Sequence, residues 1–113
     1  MSLPQPIPDS LIELIARRFR VLGEPMRIKL LDQLREREAS VSELSETTGG
    51  SQQNVSKHLG VLLDAGIVGR RKDGNQVYYS IVDEGIFRLC EEVCGGLQRQ
   101  FAELNAIVEG VGR

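Results

Sequence analysis

The chain has 113 residues, of which 41% are hydrophobic and 27% charged, and its formal net charge at pH 7 is −2. This length suits one small domain without room for a second core, and the composition is typical of a globular chain. There is no apolar run near 18 residues and no signal-peptide pattern, so we expect a cytoplasmic protein with no membrane partner.

The first 40 residues predict an arm followed by two helices. Three prolines within residues 1–8 disfavour a helix, so this stretch is predicted to be a flexible N-terminal arm preceding a single domain at 9–113. An amphipathic helix is predicted from Asp9 or Ser10 to Arg20, with the apolar set Leu11, Ile12, Leu14, Ile15 and Phe19. A second helix should begin near Glu24, with Pro25 at its first position and a core-facing set of Ile28, Leu31 and Leu34.

The segment VSELSETTGGSQQNVSKHLGVLLDAGI, residues 41–67, predicts two helices joined by a tight turn. Ser40 and Glu43 have capping-box spacing for the first helix. The turn falls at Gly49-Gly50, where the chain needs unusual backbone angles. Together these features indicate a helix-turn-helix.

The second helix, predicted over 51–65, separates an apolar face from a polar one. Ser51 is its expected N-cap and Gly66 the residue that closes it. Val55, Leu59 and Leu62 recur at helical spacing and should face inward, while the outward set is Gln52, Gln53, Ser56 and Lys57. Amides and hydroxyls suit base edges because they both donate and accept hydrogen bonds. The alternative is an ordinary helix pair with a solvated polar face.

Two strand-like runs follow, at 67–72 and 76–81, joined through Asp73-Gly74-Asn75. This pattern predicts a β-hairpin whose second strand turns Val77, Tyr79 and Ile81 to one face. The first strand carries Arg70, Arg71 and Lys72 in a row, and cations beside a turn can reach a phosphate backbone. A helix-turn-helix followed by a basic hairpin predicts a winged helix.

The last helix is predicted to start after the N-cap Asp83 and to span about 84–108. Its apolar residues follow a near-heptad seam: Ile86, Cys90, Val93, Leu97, Phe101, Leu104 and Val108. This seam is longer than a chain of this size needs for its own core, so we expect a homodimer. Gly95-Gly96 marks either a weak point or a close crossing of two such helices.

These motifs resemble the bacterial ArsR/SmtB winged-helix repressors. The matching stretches are LGEPMRIKLL at 22–31, VSKHL at 55–59, LLDAGIV at 62–68 and RRKDGNQVYY at 70–79. The resemblance implies a mainly α fold with a small β-hairpin, in the order α-α-α-α-β-β-α, that dimerises through its first and last helices. It also implies a repressor whose second helix-turn-helix helix enters the major groove and whose hairpin touches the DNA backbone.

The predicted partner is therefore double-stranded DNA, an operator that we expect to be an inverted repeat. The groove residues would be Gln52, Gln53, Asn54, Ser56 and Lys57, supported by Ser51 and His58. The wing residues predicted to contact the backbone are Arg70, Arg71, Lys72, Gln76 and Tyr78.

The metal ligands of the metal-sensing relatives are missing from this sequence. Val41-Ser42-Glu43-Leu44 carries no cysteine, and the final-helix zinc pattern retains at most Asp83, so we expect no metal and no cofactor. Cys90 and Cys94 lie one helical turn apart, which leaves three interpretations, ranked as packing residues, a thiol site for arsenite or an oxidant, and zinc ligands.

No enzyme signature is present: the chain lacks a nucleophile paired with a base and a glycine-rich phosphate loop after a strand. The function predicted is a homodimeric, sequence-specific repressor, released by a thiol-directed effector at Cys90 and Cys94. The alternatives are an effector-independent repressor and a winged-helix module that binds protein. A metal-buffering protein is less favoured, because two cysteines rarely require a whole winged helix.

Overall fold

Helices precede and follow a small sheet in the computed structural model, which describes residues 2–101 and 107–110. The elements in chain order are α1 (Asp9–Leu22), α2 (Pro25–Leu34), β1 (Ala39–Ser40), α3 (Val41–Thr48), α4 (Gln52–Asp64), β2 (Val68–Asp73), β3 (Gln76–Ile81) and α5 (Gly85–Gln100). This order confirms the predicted winged helix-turn-helix and adds one strand to it.

The chain divides into two compact units, the first ending at Val82 and the second beginning at Asp83. The first unit contains α1 to β3, and the second contains α5. The predicted arm at 1–8 and single domain at 9–113 stay predictions. No helix in the described part of the chain is both long and apolar enough to cross a membrane.

Helix α1 exposes much of its apolar set. It begins one residue after Pro8, without a side-chain cap from Asp9 or Ser10, and continues two residues beyond the predicted end. Leu22 is buried, whereas Ile12, Leu14 and Phe19 are 45%, 57% and 53% exposed. The amphipathic face is therefore present in the sequence but is not covered within the first unit.

Helix α2 begins as predicted, with Pro25 at its start and the Glu24 carboxylate accepting a hydrogen bond from the Arg27 N–H at 3.1 Å. Its buried residues are Leu30, Leu31 and Leu34. The prediction for Ile28 is wrong, because this side chain is 48% exposed. At 3.6 residues per turn, Ile28 lies about 110° around the helix from the centre of the buried stripe.

The sheet is antiparallel in the order β1-β3-β2. The two-residue strand β1 pairs Ala39 with Tyr79 and Ser40 with Tyr78, a strand that the sequence did not predict. The hairpin runs one residue further than expected on its first side, since Asp73 pairs with Gln76 and only Gly74-Asn75 form the turn.

Helices α2, α3 and α4 pack around the core of the first unit. The capping box of α3 is complete: the Ser40 hydroxyl accepts from the Glu43 N–H, and the Glu43 carboxylate accepts from the Ser40 N–H. That backbone hydrogen bond lowers the pKa of the Glu43 carboxyl below its usual value. The largest fully buried side chains are Leu30, Leu44, Val55, Leu59, Leu62 and Ile67.

Helix α5 is shorter than predicted. It starts at Gly85 after the N-cap Glu84, while the Asp83 carboxylate accepts from the Gly85 N–H at 3.0 Å. It ends at Gln100, because Phe101 has extended backbone angles. The prediction of a helix to about Val108 is thus wrong at Phe101, and Leu104 lies outside the described residues. Ile86 is buried, whereas Val93, Leu97 and Phe101 are 54%, 39% and 45% exposed.

Candidate nucleic-acid interface

The turn between α3 and α4 is fixed by two glycines with different roles. Gly49 has a φ of 78°, in the left-handed region where a side chain is disfavoured. Gly50 is packed instead: a Cβ atom there would lie 3.1 Å from Met26 Cε and 3.2 Å from Val55 Cγ2. The Ser51 hydroxyl then accepts from the Asn54 N–H at 3.1 Å and caps α4. The turn thus sets the direction in which α4 leaves the core.

The first two turns of α4 present hydrogen-bonding side chains to solvent. Val55, Leu59 and Leu62 are buried, as the apolar spacing predicted. On the other side, the predicted groove residues other than His58 are exposed: Ser51, Gln52, Gln53, Asn54, Ser56 and Lys57. Ser51, Gln53, Asn54 and Lys57 line a shallow open concavity. Amide, hydroxyl and ammonium groups on an exposed helix start match the hydrogen-bonding groups of base edges in the major groove.

His58 is placed differently from the other predicted groove residues. Only 8% of it is exposed, and Nδ1 lies 3.1 Å from an Arg27 guanidinium nitrogen. Its Nε2 lies 3.8 Å from a Glu24 carboxylate oxygen. We predicted that His58 supports groove contacts, and its burial argues against a direct contact in this conformation. Helical spacing alone did not reveal this, because the partners lie 31 and 34 positions earlier in the chain.

Helix α4 passes into the hairpin with almost no connecting chain. Gly66 has a φ of 74°, and its N–H donates to the Leu63 carbonyl while the Ile67 N–H donates to the Leu62 carbonyl. This pair of hydrogen bonds is a Schellman motif, which satisfies carbonyls at the helix end. Ile67 is fully buried, and its own carbonyl accepts from the Val82 N–H at 2.9 Å.

The three consecutive cations of the hairpin lie on two faces. Directly paired residues share a face, and Arg70 pairs with Tyr79 and Lys72 with Val77, whereas Arg71 pairs with Tyr78. The sequence run therefore does not form one basic patch. Within the described part of the chain, neither Arg70 nor Lys72 pairs with a carboxylate. Both are exposed, as is Gln76, while Tyr78 is half-buried.

Arg71 is held by groups of the first unit. Its guanidinium makes a two-pronged ion pair with the Glu38 carboxylate, with Nε to Oε2 at 2.9 Å. It also lies 4.9 Å from the centre of the Tyr78 ring and 3.7 Å from an Asp73 carboxylate oxygen. The hydrogen bond from Arg71 lowers the pKa of the Glu38 carboxyl. Glu38 was absent from the predicted site, since it is 33 residues from Arg71 and no local pattern joins them.

The two cysteines of α5 differ in accessibility. Cys90 is exposed and Cys94 is half-buried, and neither forms a disulfide. Cys90 thus faces solvent, although the heptad pattern places it on the apolar seam. No group of three or more histidine, cysteine, aspartate or glutamate side chains suited to a metal ion occurs among residues 2–101 and 107–110.

Comparison with known proteins points to one family for this geometry. Residues 22–71 match a family model described as a helix-turn-helix domain. The transcriptional regulator KmtR of Mycobacterium tuberculosis, described as HTH-type, is 38% identical over 88 residues, which cover 78% of this chain and 68% of that protein.

Solved structures of similar proteins share this fold over most of the chain. The crystal structure of Rv0081 of M. tuberculosis has a TM-score of 0.74 and 38% identity, covering 85% of this chain and 97% of that one. A solution structure from Mycobacterium bovis has a TM-score of 0.69 and 28% identity, covering 80% and 84%. It is described as a homodimeric winged helix-turn-helix DNA-binding domain of a possible ArsR-family regulator. The chain described here belongs to the ArsR/SmtB family of winged helix-turn-helix transcriptional regulators.

Proposed function

We propose that this chain is a homodimeric repressor that binds an operator in double-stranded DNA through α4 and the β2–β3 hairpin. The observation that carries the proposal is the division of α4 into a fully buried apolar face and an exposed start of amides, hydroxyls and one ammonium. An exposed helix of this width fits the major groove, and its side chains match base edges. We expect this regulator to act in the cytoplasm.

Two exposed apolar surfaces support the homodimer. Ile12 and Phe19 are exposed on one side of α1, about 20° apart around the helix, and Val93 and Leu97 are exposed one turn apart on α5. Exposed apolar side chains grouped on one element indicate an interaction surface, and the related M. bovis domain is homodimeric. A two-fold dimer would address two half-sites about one turn of DNA apart, so the operator should be an inverted repeat.

Substitutions in and beside the wing should change DNA affinity in opposite directions, which provides a test of the proposal. We expect the pair Arg70→Ala and Lys72→Ala to weaken binding to every duplex about equally, because phosphate contacts carry no sequence information. Glu38→Gln should strengthen binding severalfold and steepen its salt dependence by about 0.9 per freed phosphate contact, because it releases Arg71. The measurement is fluorescence anisotropy on a promoter fragment and on a mixed-sequence duplex, each across a salt series.

Arg35→Ala is the matched control. Arg35 is an exposed cation at the end of α2, outside the wing, and it pairs with Asp32. This variant should leave both affinities unchanged. A winged-helix module that binds protein predicts a different pattern, in which none of these substitutions alters DNA affinity. That pattern would overturn the proposal.

We further propose that a thiol-directed effector, arsenite or an oxidant, acts at Cys90 and Cys94. The exposure of Cys90, one helical turn from the half-buried Cys94, makes this pair accessible to reagents. Soft thiolate ligands favour soft ions, and a change at α5 could alter the dimer and so the spacing of the two recognition helices. A repressor without an effector, in which both cysteines only pack, is the alternative.

Titration of the reduced protein–DNA complex with arsenite and with a mild oxidant separates these two proposals. We expect release of DNA, seen as a fall in anisotropy, that disappears in Cys90→Ser and Cys94→Ser. These serine variants should bind DNA with unchanged affinity before the titration, which controls for folding. Release that persists in both variants, or no release with any agent, would contradict the thiol proposal and leave DNA binding intact.

A further inference from the structure

The guanidinium of Arg27 lies where three segments of the first unit meet. Its Nε donates to the Val21 carbonyl at 2.5 Å, and one terminal nitrogen donates to the Arg20 carbonyl at 3.3 Å. Both carbonyls belong to the last turn of α1, where backbone acceptors lack partners within the helix. Arg27 thus joins the start of α2 to the end of α1.

The other terminal nitrogen of Arg27 contacts α4. It lies 3.1 Å from Nδ1 of His58, the single histidine of the sequence. A guanidinium can only donate, so Nδ1 must accept and the ring proton belongs on Nε2. Nε2 faces the Glu24 carboxylate, whose Oε2 also accepts from the Arg27 N–H. Glu24, Arg27 and His58 therefore form one closed cluster.

We propose that Arg27 is a positioning residue that fixes α4 relative to the end of α1, and that it thereby determines the sequence specificity of DNA binding. This inference rests on the proposed function. Base contacts require each helix in a set orientation, whereas phosphate contacts tolerate small displacements. A recognition helix freed from α1 would keep its non-specific affinity and lose part of its preference for the operator.

The arrangement favours positioning over simple stabilisation. The hydrophobic core of the first unit is formed by other residues. Among them are Leu59 and Leu62 of α4, which are fully buried. Arg27 is itself only half-buried, so solvent weakens what its charge adds to folding. The hydrogen bond to His58 is directional, however, and it holds the centre of α4 to a guanidinium that the α1 carbonyls fix in place.

The experiment measures two affinities for each variant of the full chain. One probe is a 30-bp duplex selected from a random library by the wild-type protein, and the other is a mixed-sequence duplex of equal length. Arg27→Met removes the donors and keeps the apolar stem, while His58→Phe removes the acceptor and keeps a ring. We expect each to lower the ratio of specific to non-specific affinity about tenfold, the scale of one charge-assisted hydrogen bond.

Two further variants make the result specific to the Arg27–His58 contact. The double variant should show the same loss as either single one, since each single substitution already breaks the Arg27–His58 contact that links α4 to α1. His58→Asn should restore most of the ratio, because its Oδ1 can accept from the guanidinium near the position of Nδ1. Thermal melts of each variant establish that the protein is folded at the assay temperature.

Other results would contradict either the positioning role of Arg27 or the proposed function. An unchanged ratio in a folded His58→Phe variant would overturn the positioning role, and so would additive losses without rescue. Equal weakening on both duplexes would make Arg27 a phosphate contact and also overturn it. A wild-type protein that selects no sequence from the library would instead refute the proposed function itself. If Arg27→Met does not fold, the His58→Phe and His58→Asn pair still decides.

Discussion

Replacing Leu59 by alanine should cost about 2–5 kcal/mol of unfolding free energy, the range for buried leucines. Leu59 is 0% exposed and lies on the inner face of α4. The loss combines the transfer energy of the removed methyl groups with the cavity that remains. Alanine has the higher helix propensity, so the substitution does not weaken α4 locally. Since small domains are stable by only about 5–15 kcal/mol, the variant should unfold at much lower denaturant concentration.

Urea unfolding followed by circular dichroism measures this effect, at one fixed protein concentration because a dimer unfolds in a concentration-dependent way. Leu63→Ala is the matched control: the same substitution, four residues further along the same helix, at a half-buried position. We expect a clearly smaller loss there. A loss at Leu59 no larger than at Leu63 would show that α4 is not packed on the core as described.

Gln53→Ala should reduce sequence preference while leaving non-specific binding intact. Glutamine can donate to and accept from adenine in the major groove, and one such contact is worth about 1–3 kcal/mol of discrimination. A symmetric dimer loses the contact in both half-sites, so the selected duplex should be bound at least tenfold more weakly. The Gln53 side chain is exposed and lines the concavity at the start of α4, so the change leaves the core untouched.

Affinity for a panel of single-base variants of the selected duplex locates the contact. In Gln53→Ala the discrimination at one position of each half-site should disappear, with the salt dependence unchanged. Gln33→Ala, an exposed glutamine on α2, is the control that should bind like the wild type. If Gln53→Ala instead weakens binding to all duplexes equally, Gln53 contacts the DNA backbone and not a base.

The sequence predicted local features well because the hydrogen bonds that form them join residues only a few positions apart. Ser40 and Glu43 cap each other across three residues, and Gly66 ends α4 with its own neighbours. The exposed start of α4 followed in the same way from helical spacing. The fold class could be predicted from these features in combination.

The features that the sequence did not reveal depend on partners far along the chain. Strand β1 is two residues long and exists only through its pairing with Tyr78 and Tyr79. Glu38 reaches Arg71 and Arg27 reaches His58 across more than 30 positions. No periodicity connects such residues, so neither the ion pair of Arg71 nor the burial of His58 could be predicted from the sequence.

The end of α5 illustrates the limit of a periodic pattern. Apolar residues continue at helical spacing beyond Gln100, and this continuity predicted a longer helix. A seam stabilises a helix only when something covers it, and Phe101 is 45% exposed. Gly95 and Gly96 add a local cost of about 0.5–1 kcal/mol each relative to alanine. The apolar spacing alone therefore did not predict where α5 ends.

The junction at Gly66 constrains how a regulator of this type can be switched. Ile67 is buried, its N–H is bonded to the end of α4, and its carbonyl is bonded to Val82 at the end of the hairpin. Helix α4 and the base of the wing are thereby joined through one buried residue, so we expect a rotation of α4 to move the start of the hairpin with it. An effector that rotates α4 would therefore alter the groove contacts and the wing contacts of the proposed DNA complex together.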